Sequence, residues 1–153
     1  MCRLYEKFIL EYYKKEHPNL KVSASQIPWD TDDGYREMLP VMQSDIMLKK
    51  GDKTLVIDAK YYAHTTQKQY DVNTLHSGNL YQIFTYVKNL DKENTGNVSG
   101  MLLYAKTDEM VLPNNSYKMG GNAISVKTLN LDCDFLEIRK QLDDIVVDCF
   151  SCD

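Results

Sequence analysis

Residues 42–61 read MQSDIMLKKGDKTLVIDAKY, and this stretch decides the fold. Leu55, Val56 and Ile57 lead into Asp58, Ala59 and Lys60, an apolar run that ends in two charges. A strand of that composition is buried, and buried charge is costly unless it is paired or bound to a metal. Upstream, Val41, Met42, Ile46, Met47 and Leu48 surround a second acid, Asp45. Between the two runs, Gly51-Asp52 suits a two-residue hairpin turn in which the glycine takes a positive φ. With Gly51 and Asp52 as the loop, Lys50 faces Lys53, and the same register sets Asp45 directly across from Asp58. A four-residue loop keeps this pairing, whereas a three-residue loop shifts it by one.

Strand alternation puts Lys60 on the face of Asp58. Opposed residues have Cβ atoms roughly 4.5–5.5 Å apart, and like charges at that spacing repel. A divalent ion resolves the repulsion, since two carboxylates plus waters are the hard oxygen ligands that Mg²⁺ takes. The plain alternative is that Asp58 and Lys60 are ion-pair partners at a strand end. The second acid opposite the first favours a site.

An Asp on one strand followed by Asp-x-Lys on the next resembles the PD-(D/E)xK nuclease core. Gln82 and Tyr86, four apart on an expected helix, resemble the Gln-x-x-x-Tyr element of RecB-like nucleases. Leu4 to Phe8, the Asp45 strand, Asp58 to Tyr62 and Asn79 to Gln82 follow one another in one order. That ordered set resembles the nuclease domain of the McrC family, the cleavage subunits of modification-dependent restriction systems. The resemblance covers about the first 105 residues well and the remainder loosely.

The resemblance implies a Mg²⁺-dependent DNA endonuclease, with Mn²⁺ as a substitute. Asp45, Asp58 and the Ala59 carbonyl would be metal ligands, and Asp45, Asp58 and Lys60 the catalytic set. Gln82, Tyr86 and, on the first helix, Glu6 would support the site. Lys60 orients water or stabilises charge on phosphorus rather than acting as a general base, because an ammonium beside two carboxylates keeps its proton. The implied partners are DNA and an AAA+ GTP-hydrolysing motor of the McrB type. No glycine-rich phosphate cradle occurs, so nucleotide hydrolysis belongs elsewhere. The upstream region that docks the motor in such proteins is expected to be absent, as in an excised domain or a truncated product. Two other functions fit the same residues: a non-catalytic nuclease-fold scaffold for DNA or protein, and a metal-dependent phosphodiesterase acting on RNA or a small nucleotide.

The chain has 153 residues, 43% of them hydrophobic, which suits a single folded domain over 1–153. No apolar run is long enough to span a bilayer and no secretory signal is present, so a cytoplasmic protein with free thiols is expected. Cys149-x-x-Cys152 at the C-terminus, with Cys133 and a histidine, is a weak zinc pattern. A net charge of −4 disfavours firm DNA binding through a basic surface, so an isolated domain of low activity is expected. Lys49, Lys50, Lys53, Lys60 and Lys68 form either a local positive rim or, apart from Lys60, solvated turn and edge lysines. His17, His64 and His76 carry no assigned role. Trp29 and the eleven tyrosines offer rings for base stacking, though most tyrosines belong in or near the core.

The expected elements are a helix over 3–16, strands over 21–27, 41–49 and 54–61, and a polar loop over 63–76 lying across the active face. A helix over 79–90, a strand over 100–105, a turn or hairpin tip over 113–122, a strand over 124–131 and a helix from Asp134 to about Phe150 follow. The order αβββαβ(β)α belongs to an α/β fold, an α+β mixed sheet flanked by helices.

Overall fold

The computed structural model describes residues 2–61, 66–69, 72–106 and 112–151. In chain order the elements are α1 (Cys2–Glu16), β1 (Lys21–Ser23), β2 (Gln26–Ile27), β3 (Met42–Gln43), β4 (Ile46–Lys50) and β5 (Lys53–Lys60). Then come β6 (Thr66–Gln69), β7 (Val72–Leu75), α2 (Ser77–Leu90), β8 (Val98–Ala105), β9 (Asn115–Met119), β10 (Asn122–Leu129) and α3 (Phe135–Phe150). A six-stranded sheet in the order β1-β4-β5-β8-β10-β9 is the centre of the fold.

The central hairpin forms as its residues require. β4 and β5 pair antiparallel with Lys50 opposite Lys53 and Ile46 opposite Ile57. Gly51 takes φ 61°, and Asp52 is not among the residues of positive φ, the pattern of a II′ turn. From β5 the chain crosses through α2 to β8, which lies parallel to β5 with Asp58 beside Leu102 and Lys60 beside Tyr104. A parallel neighbour needs such a helical crossover. β5 and β8 are covered on both faces and accordingly read as continuous apolar runs.

Alternation divides the sheet's side chains between two cores. Leu55, Ile57 and Ala59 point to α1 and α3, joining Ile9, Tyr13, Leu103 and Leu142. Val56 points to α2, joining Ile83, Val87, Leu102, Tyr104 and Ile124. By the same parity Asp58 and Lys60 lie on the α2 face. α2 sits close to the sheet because Gly100 of β8 has no side chain: a Cβ there would lie 2.7 Å from both Ile83 Cγ1 and Val87 Cγ2. α3 begins as expected, with the Asp134 carboxylate accepting the Glu137 amide at 3.0 Å.

Several expectations are corrected. The strands expected over 21–27 and 41–49 are each broken, β1 and β4 joining the main sheet while β2 and β3 pair as a separate ribbon. The break is made by Ser25 and Ser44. The Ser44 amide and hydroxyl both donate to the Ser25 carbonyl, at 3.0 and 2.9 Å, and the Ser25 amide donates to Ser44 Oγ at 3.1 Å. Such local serine bonds compete with a sheet ladder. The polar loop expected over 63–76 instead contains the antiparallel pair β6 and β7, whose polar sequence hides any period-two signal. Residues 63–65, 70 and 71 of that stretch lie outside the described residues. The turn or hairpin tip expected over 113–122 does hold a hairpin tip, at Gly120 and Gly121 with φ 58° and 88°, but most of the segment is an exposed edge strand, β9, paired with β10. An edge strand with little buried surface carries no apolar pattern to read. α2 starts two residues earlier than expected. Among the described residues no helix is long and apolar enough to cross a membrane.

The contact at Gly100 has a measurable consequence. Gly100→Ala pushes against two fully buried side chains that are stiff at χ1. Urea unfolding is expected to show a loss of about 1–3 kcal/mol, the usual cost of overpacking. A variant as stable as the parent contradicts this account of how α2 is seated.

Candidate functional site

The site forms where the β4–β5 ladder ends. The last paired residues are Ile46 and Ile57, and the next position in register is Asp45 opposite Asp58. Beyond that, Ala59 would meet Ser44, but Ser44 is turned to Ser25. The Ala59 amide is taken by the Asp45 carboxylate instead, donating to Oδ2 at 2.9 Å. A side chain thus completes the hydrogen bonding of a buried strand where backbone pairing has stopped. The reading that gave Ala59 only a carbonyl role did not foresee this bond.

Asp58 is 5% exposed. The Lys60 ammonium stands 3.0 Å from Asp58 Oδ2, but off the hydrogen-bonding direction, and that oxygen is buried with no hydrogen-bond partner. Lys60 Nζ donates to Gln82 Oε1 at 3.0 Å, and Gln82 Nε2 donates to the Tyr86 hydroxyl at 2.9 Å. Gln82 and Tyr86 are one turn apart on the face of α2 that meets the sheet. One continuous chain of contacts therefore runs from Asp58 through Lys60 and Gln82 to Tyr86.

Burial pushes the Asp45 carboxyl up from its usual value of 3.8 to about 8, and the hydrogen bond and negative charge of Asp58 push the same way. The Ala59 amide opposes the shift in part, and Glu6 adds to it. Glu6 belongs to α1 on the other face of the sheet, and approaches around the open end left where β4 stops. Its carboxyl is also raised, by burial and then by Asp58, with Lys60 and Arg3 pulling it down. Glu6 and Asp45 line one open cleft of about 540 Å³ together with Arg3, Lys7, Leu10, Glu11, Ala24, Gln43 and Ser44. A hollow of about 570 Å³ between β10 and α3 is slightly larger but contains no opposed carboxylates. Chemistry, not volume, distinguishes the first.

The donor set was tested for a metal. Among the described residues no group of three or more His, Cys, Asp or Glu side chains is arranged to hold one. Asp58 Oδ2, which has the Lys60 ammonium beside it but no hydrogen bond, and the raised Asp45 carboxyl nevertheless fit a hard cation. Mg²⁺ commonly uses one or two carboxylates and fills the rest of its shell with water. Among the described residues zinc finds no such fit: Cys133 Sγ donates to the Asn130 carbonyl and Cys149 packs against the α1–α3 core, while Cys152 lies outside the described residues.

The remaining candidates fall away from the carboxylates. His17 Nε2 bonds Asp143 Oδ1 at 2.7 Å between α1 and α3, His76 precedes α2, and His64 lies outside the described residues. Lys49, Lys50 and Lys53 sit at the turn end of the hairpin, about 13–17 Å along the strands from the acids. They lie at or beside the hairpin turn on inner strands of the sheet, not at a rim of the site; nothing is described of the Lys68 side chain. Trp29 is engaged, its indole donating to the Pro40 carbonyl at 2.7 Å. Tyr5, Tyr12, Tyr13, Tyr86 and Tyr104 are buried. Arg3 and Lys7, the cations that do flank the cleft, went unnoticed in the sequence; their i, i+4 spacing around Glu6 was the available signal.

A family model described as McrBC 5-methylcytosine restriction system component matches residues 1–105. The chain is 34% identical over 148 residues to the Type IV methyl-directed restriction enzyme EcoKMcrBC of Escherichia coli (strain K12). That alignment covers 95% of this chain and 42% of the relative, so the chain spans less than half the relative's length.

The Asp45 shift makes stability depend on pH. Because the folded carboxyl titrates near 8 and the unfolded one near 3.8, the folded state binds more protons throughout the interval between them. This contribution is fully present below the unfolded value and is lost as pH rises through the folded one. Asp45→Asn removes it while keeping an acceptor for the Ala59 amide. In metal-free buffer the stability gap between Asp45→Asn and the parent is expected to move in favour of the variant as pH rises from about 4 to 8. Parallel stability curves for the two proteins contradict the shift.

Proposed function

This chain belongs to the family of McrBC 5-methylcytosine restriction system components, and from that premise we propose that it is the Mg²⁺-dependent nuclease domain of such a system, hydrolysing DNA phosphodiester bonds. The observation that carries the reading is Asp45 facing Asp58 at the ladder end, with Lys60 held on the same face by Gln82. We read this geometry as a PD-(D/E)xK arrangement, and the whole chain as one domain of that kind.

Asp45, Asp58 and the Ala59 carbonyl are the proposed ligands of Mg²⁺, with Mn²⁺ as a substitute. When bound, such an ion supplies Lewis acidity toward the phosphate and acidifies a coordinated water. The chain's own residues prepare that chemistry. Burial of Asp58 and the repulsion across the hairpin make the paired carboxylates a poor resting place for two negative charges, which favours a cation between them. Lys60, fixed by Gln82, places positive charge where negative charge develops on the phosphate, and holding it beforehand avoids reorganisation during the reaction. Tyr86 fixes Gln82 in turn. Glu6 adds a third carboxylate at the mouth of the cleft, where it helps to orient water.

The proposed partners are DNA and a GTP-hydrolysing AAA+ motor of the McrB type, in the cytoplasm. With a net charge of −4, the domain is expected to bind and cut DNA weakly unless that partner delivers it. A nuclease fold kept only as a scaffold gains nothing from two opposed carboxylates, so the enzymatic reading is the better supported.

In single-turnover cleavage by the assembled complex, Lys60→Ala is expected to lower the rate about 10²–10³-fold, the usual loss of one preorganised charge. GTP hydrolysis by the motor should be unaffected. A Lys60→Ala complex that cuts at the parent rate contradicts the role given to this residue.

A further inference from the structure

An acidic nuclease domain has to hold its substrate with local positive charge, and the structure limits where that charge can be. Lys60 is committed to Asp58 and Gln82. Lys49 and Lys50 are at the far end of the hairpin. Along α1, Arg3 and Lys7 are both exposed, and neither makes an ion pair or side-chain hydrogen bond with another described residue. They are one turn apart on the same stripe of the helix as Glu6 and Leu10. That stripe forms one wall of the cleft that reaches Asp45.

We infer that Arg3 and Lys7 bind backbone phosphates two nucleotide steps apart on the DNA strand that enters the cleft, and so position the scissile bond at the Asp45–Asp58 pair. Four residues of helix advance about 6 Å, close to the roughly 7 Å that two nucleotide steps occupy along the duplex axis. Leu10 and Ala24 add uncharged lining, Glu11 lies beside Leu10, and Glu6 stands between the two cations on α1 in the same cleft as Asp45. A strand drawn in by the two cations therefore runs toward the carboxylates. Because these are backbone contacts, they fix register without reading bases. The inference deepens the nuclease reading and rests on it.

The test is binding of the chain to a short unmodified duplex with Ca²⁺ replacing Mg²⁺, followed by anisotropy between about 50 and 200 mM salt. Arg3→Ala and Lys7→Ala are each expected to weaken binding and to reduce the slope of log K against log salt by about 1. Lys49→Ala and Lys50→Ala should leave the slope at the parent value. Unchanged slopes in the α1 variants overturn the inference, as do equal losses in all four variants, or no binding by the parent chain at low salt. Failure of the nuclease reading is separately visible. It would appear as absent metal binding in the parent chain, measured without DNA.

Discussion

The structure depends on a repulsion that the backbone imposes. A II′ turn at Gly51 and Asp52 fixes the register of β4 and β5, and that register leaves Asp45 facing Asp58 at the ladder's open end. The acids cannot both carry charge there without cost, because one is almost fully buried and the other largely so. Each neighbouring feature addresses that cost in part. The Ala59 amide satisfies Asp45, Lys60 approaches Asp58, and a proton is retained on Asp45 well above its usual range. One buried oxygen is still left without a hydrogen bond. That oxygen has the Lys60 ammonium 3.0 Å away and leaves room for a further electrostatic partner such as the proposed cation.

The surrounding fold serves to hold this end of the hairpin in place. β8 lies against β5 through the whole of its charged end, and α2 is seated on β8 through the gap that Gly100 leaves. From that seat Gln82 and Tyr86 reach Lys60. α1 covers the opposite face and brings Glu6, Arg3 and Lys7 to the cleft at the ladder's end. The serine pair at positions 25 and 44 ends the ladder there, so that Asp45 points into a site instead of continuing a sheet.

Much of this was legible in the sequence because it follows from one turn and one period. Gly-Asp at the hairpin tip gives the opposition of Asp45 and Asp58. Alternation gives Lys60 its face, and an interval of four gives Gln82 and Tyr86 theirs. What the sequence hid has equally physical causes. Ser25 and Ser44 break strands through side-chain bonds to the backbone, which no hydrophobic pattern records. β6 and β7 are polar in sequence, and β9 is an exposed edge strand, so none of them shows an apolar period. The turn lysines appeared relevant because they are near the acids in sequence, yet an extended hairpin carries them about 13–17 Å away. Arg3 and Lys7 seemed unremarkable on an amphipathic helix until the fold set that helix beside the ladder's end.

The central claim is that the two opposed carboxylates bind one divalent ion, and calorimetry tests it most directly. Mg²⁺, then Mn²⁺, is titrated into the parent chain, Asp45→Ala and Asp58→Ala near pH 7, in two buffers of different ionisation enthalpy. The account predicts binding in the parent accompanied by proton release, because the metal displaces the proton that Asp45 retains, and loss of that binding in both variants. Parent-like binding in either variant, or no binding in the parent with either metal, would contradict it.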